Sequence, residues 1–388
     1  MMLRRLLIGL AAAAALALPA AAQDHYVVGL TGAMTGPAAG SLGPAVEGVR
    51  LYVERLNAAG GINGKKVELI LQDDAAEPSK AAANVKKLIS QDNVILLINA
   101  SLSSTYAPML AEVKRAKVPV LYMGAVCPKD VLPPAADALQ FCSTGFAQGF
   151  DTRAVLGFVK EMAKEPVRIG FASMAIPISR GEMEYAMDYA KTLGMTPVDH
   201  ETIPPPTPDY TPFATKLKEI NPNWVFSWAP WVTEVRTVEA LRKLGWDGQY
   251  IATAHLEAEG ELPRVKDPKF YVMGANALFA EDSPIHREIT AAAKAGNAKY
   301  PPSLMTEGWL GGMVVEATLK KAGWPADAAK VADALADLKV DTKGLRGGVL
   351  EWTKTNHYRT HQYYRVYRWD TDKAAIVRVK DWIAYEVK

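Results

Sequence analysis

Residues 94–123 read VILLINASLSSTYAPMLAEVKRAKVPVLYM. Val94–Ile98 has the length and β-branched content of a strand buried on both faces. It breaks into Asn99-Ala100-Ser101-Leu102-Ser103-Ser104-Thr105, small and rich in hydroxyls. Met109, Leu110 and Val113 recur at helical spacing, and Val118-Pro119-Val120-Leu121-Tyr122 begins a second strand. The start of the intervening helix offers hydroxyls and unpaired backbone N–H groups, an end that favours negative charge. A ligand carboxylate held there is the first functional expectation. Helix capping alone is the bland alternative, but four hydroxyl residues in five positions exceed what one N-cap needs.

The same alternation extends both ways. Upstream it predicts a strand over Tyr26–Leu30, a small-residue loop over Thr31–Gly43, a helix over Val46–Ala58, a strand over Lys66–Gln72 and a helix over Ala75–Ser90. A second series begins after Phe141. Its expected strands are 167–172, 224–228, 249–253 and 269–278, and its expected helices 148–165, 181–193, 210–220 and 232–244. Helices are expected again over 283–295, 306–322 and 326–338, followed by a β-rich aromatic tail over 347–385. Alternation at these spacings argues for parallel sheets with helices on both faces.

Arg4 and Arg5 precede an apolar run, Leu6–Leu18, and Ala20-Ala21-Ala22 fits a cleavage site. This is the pattern of a secretory signal peptide cut after Ala22, so export is expected. The chain carries 44 Lys and Arg against 42 Asp and Glu, and the excess of two is Arg4 and Arg5 themselves. A mature chain without net charge argues against nucleic acid or an anionic membrane as partner. In an oxidising compartment the two cysteines, Cys127 and Cys142, are expected as a disulfide, with two buried thiols as the alternative.

Catalytic and metal signatures do not emerge. No C-x-x-C, H-E-x-x-H, G-x-S-x-G or phosphate-loop pattern can be drawn, and the six His lack ligand spacing. Asp73-Asp74 before a helix reads as capping rather than metal. His255 and Glu257 lack the nucleophile or third partner that would make them a proton-transfer pair. No metal or cofactor is expected. Strand ends instead carry ligand-type residues, and in open α/β sheets ligands lie beyond the carboxyl ends of strands. Trp228 and Trp231 sit where a strand meets a helix, and could form an aromatic wall or simply pack in the core.

Taken in order, several segments resemble the periplasmic solute-binding proteins of ABC transporters, the leucine/isoleucine/valine-binding type. They are Gly32-Ala33-Met34-Thr35-Gly36-Pro37, then Leu56-Asn57-Ala58-Ala59-Gly60-Gly61-Ile62-Asn63-Gly64, then Asp73-Asp74 with Pro78. Ser103-Ser104-Thr105 and Val118-Pro119-Val120 follow. Asp209-Tyr210-Thr211-Pro212-Phe213, Asn221-Pro222 and Gly245-Trp246 continue the series. Each motif is weak alone; the ordered set spans the mature chain.

The resemblance implies an α/β fold of two doubly wound parallel-sheet lobes joined by a three-strand hinge. One lobe would comprise 24–143 with 276–348, the other 144–275 with 349–388. Lobe closure would trap the ligand and present it to a membrane permease. By the resemblance the carboxylate falls to Ser101, Ser103, Ser104, Ala125 and Val126, with Ser41 and Leu102 beside them. Ile178, Trp228 and Trp231 would cover the rest of the ligand from the second lobe. Glu257, or else Glu259, would take an α-ammonium. The loop Met174–Ser179 lacks the Tyr-Gly pair of many members, which leaves an amino acid and an aromatic or aliphatic acid both open. The expected protein is a monomer without enzymatic activity. Its rivals are a sensory ligand-binding domain of the same fold and an exported enzyme with a non-standard site.

Overall fold

The computed structural model describes residues 24–204, 207–253 and 258–388. The expected signal peptide and cleavage site therefore lie outside the described residues, as do His255 and Glu257. Among the described residues no helix is long and apolar enough to cross a membrane.

The first sheet uses β1 (His25–Gly32), β2 (Lys66–Asp73), β3 (Leu96–Ala100), β4 (Val120–Tyr122) and β5 (Gln140–Cys142). Its order is β2-β1-β3-β4-β5, parallel throughout. Helices α1 (Ala39–Ala58), α2 (Pro78–Ser90) and α3 (Tyr106–Ala116) are the crossovers. β3 is buried at all five positions, which is why its sequence is an apolar run without alternation.

The second sheet begins with β6 (Arg168–Met174), β7 (Thr196–Ile203), β8 (Trp224–Trp228), β9 (Gln249–Ala252) and β10 (Phe270–Gly274). Helices α4 (Phe150–Met162), α5 (Pro177–Thr192), α6 (Thr211–Glu219), α7 (Trp231–Lys243) and α8 (Ala258–Val265) accompany it. The chain then returns to the first core through α9 (Pro284–Ala295), α10 (Thr306–Ala322) and α11 (Ala328–Leu335). A two-stranded ribbon follows, β11 (Lys339–Val340) with β12 (Leu350–Glu351). The last strands, β13 (His361–Asp370) and β14 (Ala375–Glu386), join the second sheet, whose order is β14-β13-β10-β9-β8-β6-β7.

Three differences from the sequence expectation have physical reasons. β13 runs antiparallel to both β10 and β14, so the second sheet is mixed rather than wholly parallel. A hairpin needs only a tight turn, whereas a parallel neighbour needs a crossover, and none remains at the chain end. Helix α1 starts at Ala39, inside the expected loop, and carries Pro44 as an interior residue. β7 escapes a sequence reading because it is a half-exposed edge strand, TPVDHETI. Its pairing slips beside Pro197, where an edge tolerates the missing N–H.

Helices α1 and α10 cross at backbone contact over the first sheet. A Cβ at Gly308 would stand 1.9 Å from the Ala45 carbonyl oxygen, and one at Gly48 would stand 2.5 Å from that of Met305. Only glycine permits that approach.

Candidate functional site

The carboxyl ends of β1, β2 and β3 are bound together by two acids. Asp74 is fully buried; its Oδ2 accepts from Thr31 Oγ1 at 2.8 Å, and its Oδ1 from Ser101 Oγ at 2.7 Å and Ala76 N–H at 2.8 Å. Asp73 accepts the backbone N–H groups of Met34, Thr35 and Ala75 and the Thr35 hydroxyl. Burial would raise the Asp73 carboxyl, but the Thr35 hydroxyl and these N–H groups outweigh it and hold it below its ordinary value. The paired acids are thus loop anchors, and among the described residues no His/Cys/Asp/Glu group could hold a metal ion.

This anchoring changes what the serine-rich turn can offer. The Ser101 hydroxyl donates a hydrogen bond to Asp74, and its N–H donates to Asn99 Oδ1 at 3.0 Å. Thr105 donates to the Leu102 carbonyl and accepts from Asn99 Nδ2. Ser103 and Ser104 are exposed on a 3-10 turn ahead of α3, as is Leu102. Of the four hydroxyls, these two remain free to meet an anion. Ser41 is exposed in the first turn of α1.

At the end of β4, Ala125 and Val126 are half-buried, and Tyr106 Oη donates to the Val126 carbonyl at 3.2 Å. Cys127, next in the chain, forms a disulfide with Cys142 of β5 across a Cα–Cα distance of 5.6 Å. Tyr106 and Tyr122 are core residues, with ring centroids 4.2 Å apart.

The facing side is built on β8. Trp228 ends that strand, buried at 5% exposure, and its Nε1 donates to Asp151 Oδ2 at 3.0 Å. The other oxygen of Asp151 accepts from Tyr364 Oη of β13 at 2.6 Å, and both oxygens lie 3.2 Å from Ala147 N. Glu182 of α5, also buried, accepts from Gly149 and Thr152 at the start of α4. Burial, then the neighbouring Glu182 charge, pushes the Asp151 carboxyl up to about 7. Burial likewise raises Glu182. Val126 from the first lobe, with Phe150 and Ile178, packs against the core that contains Trp228. Trp231 belongs to the core on the other face, stacked on Phe270 at 6.4 Å. Glu259 is half-buried on α8 and accepts the Ala280 N–H at 3.1 Å. Burial holds its carboxyl above the ordinary value.

Between the sheets the chain crosses three times, and one carboxylate joins the first two crossings. Glu307, in the first turn of α10, accepts from Gly145 N at 3.2 Å in the first crossing and from Asn276 Nδ2 at 2.6 Å in the second. Arg346 binds both of its oxygens, at 3.1 and 2.9 Å. Gln362, where the third crossing enters β13, donates to the Gly145 carbonyl at 2.7 Å and accepts from Arg359 at 2.6 Å. Arg359 is fully buried and also reaches Cys127 Sγ at 3.3 Å; burial holds its guanidinium below the usual value.

The structure therefore brings Val126, Ile178 and Trp228 to one cluster and leaves Ser41, Leu102, Ser103 and Ser104 exposed on the first lobe. Two grooves, of 430 and 310 Å³, lie along the C-terminal edge and beside the disulfide; neither is lined by the serine turn or by Trp228. Sequence reasoning missed Asp151, Tyr364 and Glu307. Asp151 had one signal, an acid in the first turn after Gly149, which reads as ordinary capping. Tyr364 and Glu307 come from elements 213 and 162 residues away from their partners Asp151 and Gly145, so no local pattern could have placed them.

A family model described as periplasmic binding protein matches residues 26–374. The chain belongs to this family. As a periplasmic binding protein it is 24% identical over 370 residues to an amino acid binding protein of Pseudomonas aeruginosa, covering 95% of this chain and 96% of that one. Among solved structures it resembles a solute-binding protein of an ABC transporter from Rhodopseudomonas palustris BisB5 in complex with 3,4-dihydroxybenzoic acid. The TM-score there is 0.77 at 20% identity, covering 94% and 98% of the two chains. A branched-chain amino acid ABC transporter protein from Thermus thermophilus with bound valine gives a TM-score of 0.78 at 14% identity, covering 93% and 97%. These likenesses show that the chain shares their fold.

Proposed function

We propose that this protein is the solute receptor of an ABC importer, binding a small carboxylate between its two lobes. The ligand is an amino acid or an aromatic acid, the two classes named for its relatives. What supports this reading is membership of the periplasmic binding protein family, together with unlike surfaces at strand ends of the two sheets. The first lobe presents the exposed hydroxyls of Ser103 and Ser104 at a helix start. The second holds the indole of Trp228 at the end of β8, buried at its core and fixed through its N–H. Hydroxyls and backbone N–H groups suit a carboxylate, and an aromatic face suits an apolar or ring-bearing remainder.

In this reading the lobes are 24–143 with 276–352 and 144–275 with 353–388, the last boundary moved from the expected 348. Leu350 and Trp352 still pack in the first core, so the third crossing belongs just after Trp352. The ligand carboxylate is met by Ser103, Ser104 and the backbone of Ala125, while Ser101 supports the turn through Asp74. Val126, Ile178 and Trp228 enclose the remainder. The protein acts as a monomer in the periplasm, hands its ligand to a membrane permease and does not transform it. Calorimetric titration with valine, leucine and 4-hydroxybenzoate tests the ligand class. Binding that survives Ser103→Ala with Ser104→Ala and Trp228→Ala unchanged would refute the assignment of the site.

A further inference from the structure

We propose that Asp151 is the positioning residue of the cleft: its carboxylate, shared between the Trp228 indole and the Tyr364 phenol, fixes the aromatic wall, and the ionised form fixes it more tightly than the protonated form. This rests on the cleft assignment above.

The geometry is specific. Asp151 belongs to α4, Trp228 to β8 and Tyr364 to β13, so one carboxylate joins three elements of the second lobe. Its two oxygens are divided between them, at 3.0 Å to the indole nitrogen and 2.6 Å to the phenol. Among the described residues no Lys, Arg or His forms an ion pair with it, although it is only 2% exposed. A charge buried without a cation is costly to the fold, and an amide of the same shape would be cheaper. Retaining an acid here gains one thing an amide lacks, a charge-assisted bond to the tryptophan.

The groups facing Asp151 are few. From α5 comes Glu182, whose charge opposes ionisation. From β13 comes Tyr364, itself pushed well above its ordinary value by burial and by Asp151, and ringed at 6.0 Å by Tyr385 of β14. From the third crossing come Tyr358 and Arg359; the Arg359 charge acts on both Tyr358 and Tyr364, and the Arg346 charge acts on Tyr358 as well. From α4 itself, Arg153 lies outward and binds Tyr185. With Asp151 poised near neutrality by burial, small changes of pH alter the strength of the Trp228 bond.

The direction follows from the hydrogen bond. A carboxylate oxygen accepts from the indole N–H about twice as strongly as a neutral acid does. A loosened wall costs the bound state more than the free one, so affinity falls on acidification, by about fivefold between pH 8.0 and 5.5. The test uses the full-length mature chain with 4-hydroxybenzoate and with valine as separate probes, each keeping nearly one charge state over that range. Calorimetric titration gives affinity against pH for wild type and for Asp151→Asn. The fluorescence difference between wild type and Trp228→Phe, without any probe, reports Trp228 directly. We expect a Trp228 transition near neutral pH that vanishes in Asp151→Asn and moves to higher pH in Tyr364→Phe, which removes a donor to the ionised form. Affinity in Asp151→Asn is expected low and independent of pH. A Trp228 signal flat from pH 5.5 to 8.0, or an Asp151→Asn profile matching wild type, would overturn the proposal. Failure of both probes to bind at every pH would instead refute the ligand class, while the probe-free signal still decides the role of Asp151.

Discussion

Replacing Glu307 by Gln perturbs the hinge at one point without changing its volume. Glu307 and Arg346 are 7% and 5% exposed, so solvent screens their interaction little. The carboxylate accepts four contacts, from Gly145, Asn276 and twice from Arg346. Glutamine offers one oxygen, so about two of these are lost and an NH₂ group faces the guanidinium together with either the Gly145 N–H or the Asn276 NH₂. Each lost bond to a charged partner is worth roughly 1.5–3 kcal/mol, and breaking a buried pair from one side costs roughly 3–5 kcal/mol. The two routes agree on about 4 kcal/mol. At roughly 2 °C per kcal/mol for a chain of this size, Tm drops by about 8 °C. Urea unfolding followed by near-ultraviolet circular dichroism measures the loss. A double-mutant cycle with Arg346→Met isolates the pair, because removing both charges should recover much of the stability. A Glu307→Gln loss below about 1 kcal/mol, or a cycle with no coupling, would refute the idea that this carboxylate holds the first two crossings together.

Further outcomes follow from other residues. Replacing Cys127 and Cys142 by Ser opens a link of sequence separation 15 and should cost roughly 3 kcal/mol on unfolding in urea, an effect that reducing agent reproduces in wild type. Trp228→Ala should weaken carboxylate binding at least about tenfold by calorimetry, whereas Trp382→Ala, which removes a ring lying under Arg365 at 4.1 Å on β14, should leave it unchanged. The Asp151 carboxyl, folded near 7 against an ordinary 3.8, contributes stability that is fully present below pH 3.8 and is lost as pH rises through 7. The Tm difference between Asp151→Asn and wild type should therefore grow in favour of the variant from pH 5 to pH 8; a constant difference would show that the acid does not titrate in this range. His357, fully buried and held below its ordinary value by burial, works the other way: stability contributed by its neutral form is present above the ordinary 6.5 and is lost as pH falls through its lower folded value, and His357→Gln should reduce that acid loss.

Much of the architecture was legible because parallel strands buried on both faces read as apolar runs. Leu96–Ala100 and Trp224–Trp228 are such strands, and their helices carry clear periodicity. Two edge strands were not legible: β7 is half polar, and β5 has only three residues, whereas the edge strand β2 was read over Lys66–Gln72. The antiparallel placement of β13 was hidden because alternation shows a strand but not its neighbour. At the site, hydroxyl density marked the turn after β3, yet which hydroxyls are free depends on Asp74, 27 residues earlier. Trp228 was conspicuous in the sequence, whereas the groups that orient it, Asp151 and Tyr364, come from distant elements. Trp231 looked equivalent three residues on, but it begins a helix on the opposite face and packs on Phe270.

The central claim is a carboxylate bound between the serine turn and Trp228. A thermal-shift screen of amino acids, aromatic and aliphatic carboxylates, sugars and metal cations tests it directly, since a ligand that binds only the folded form raises Tm by mass action. The account predicts stabilisation by at least one carboxylate, lost when Ser103 and Ser104 are replaced by Ala. Stabilisation by sugars or cations alone would contradict it.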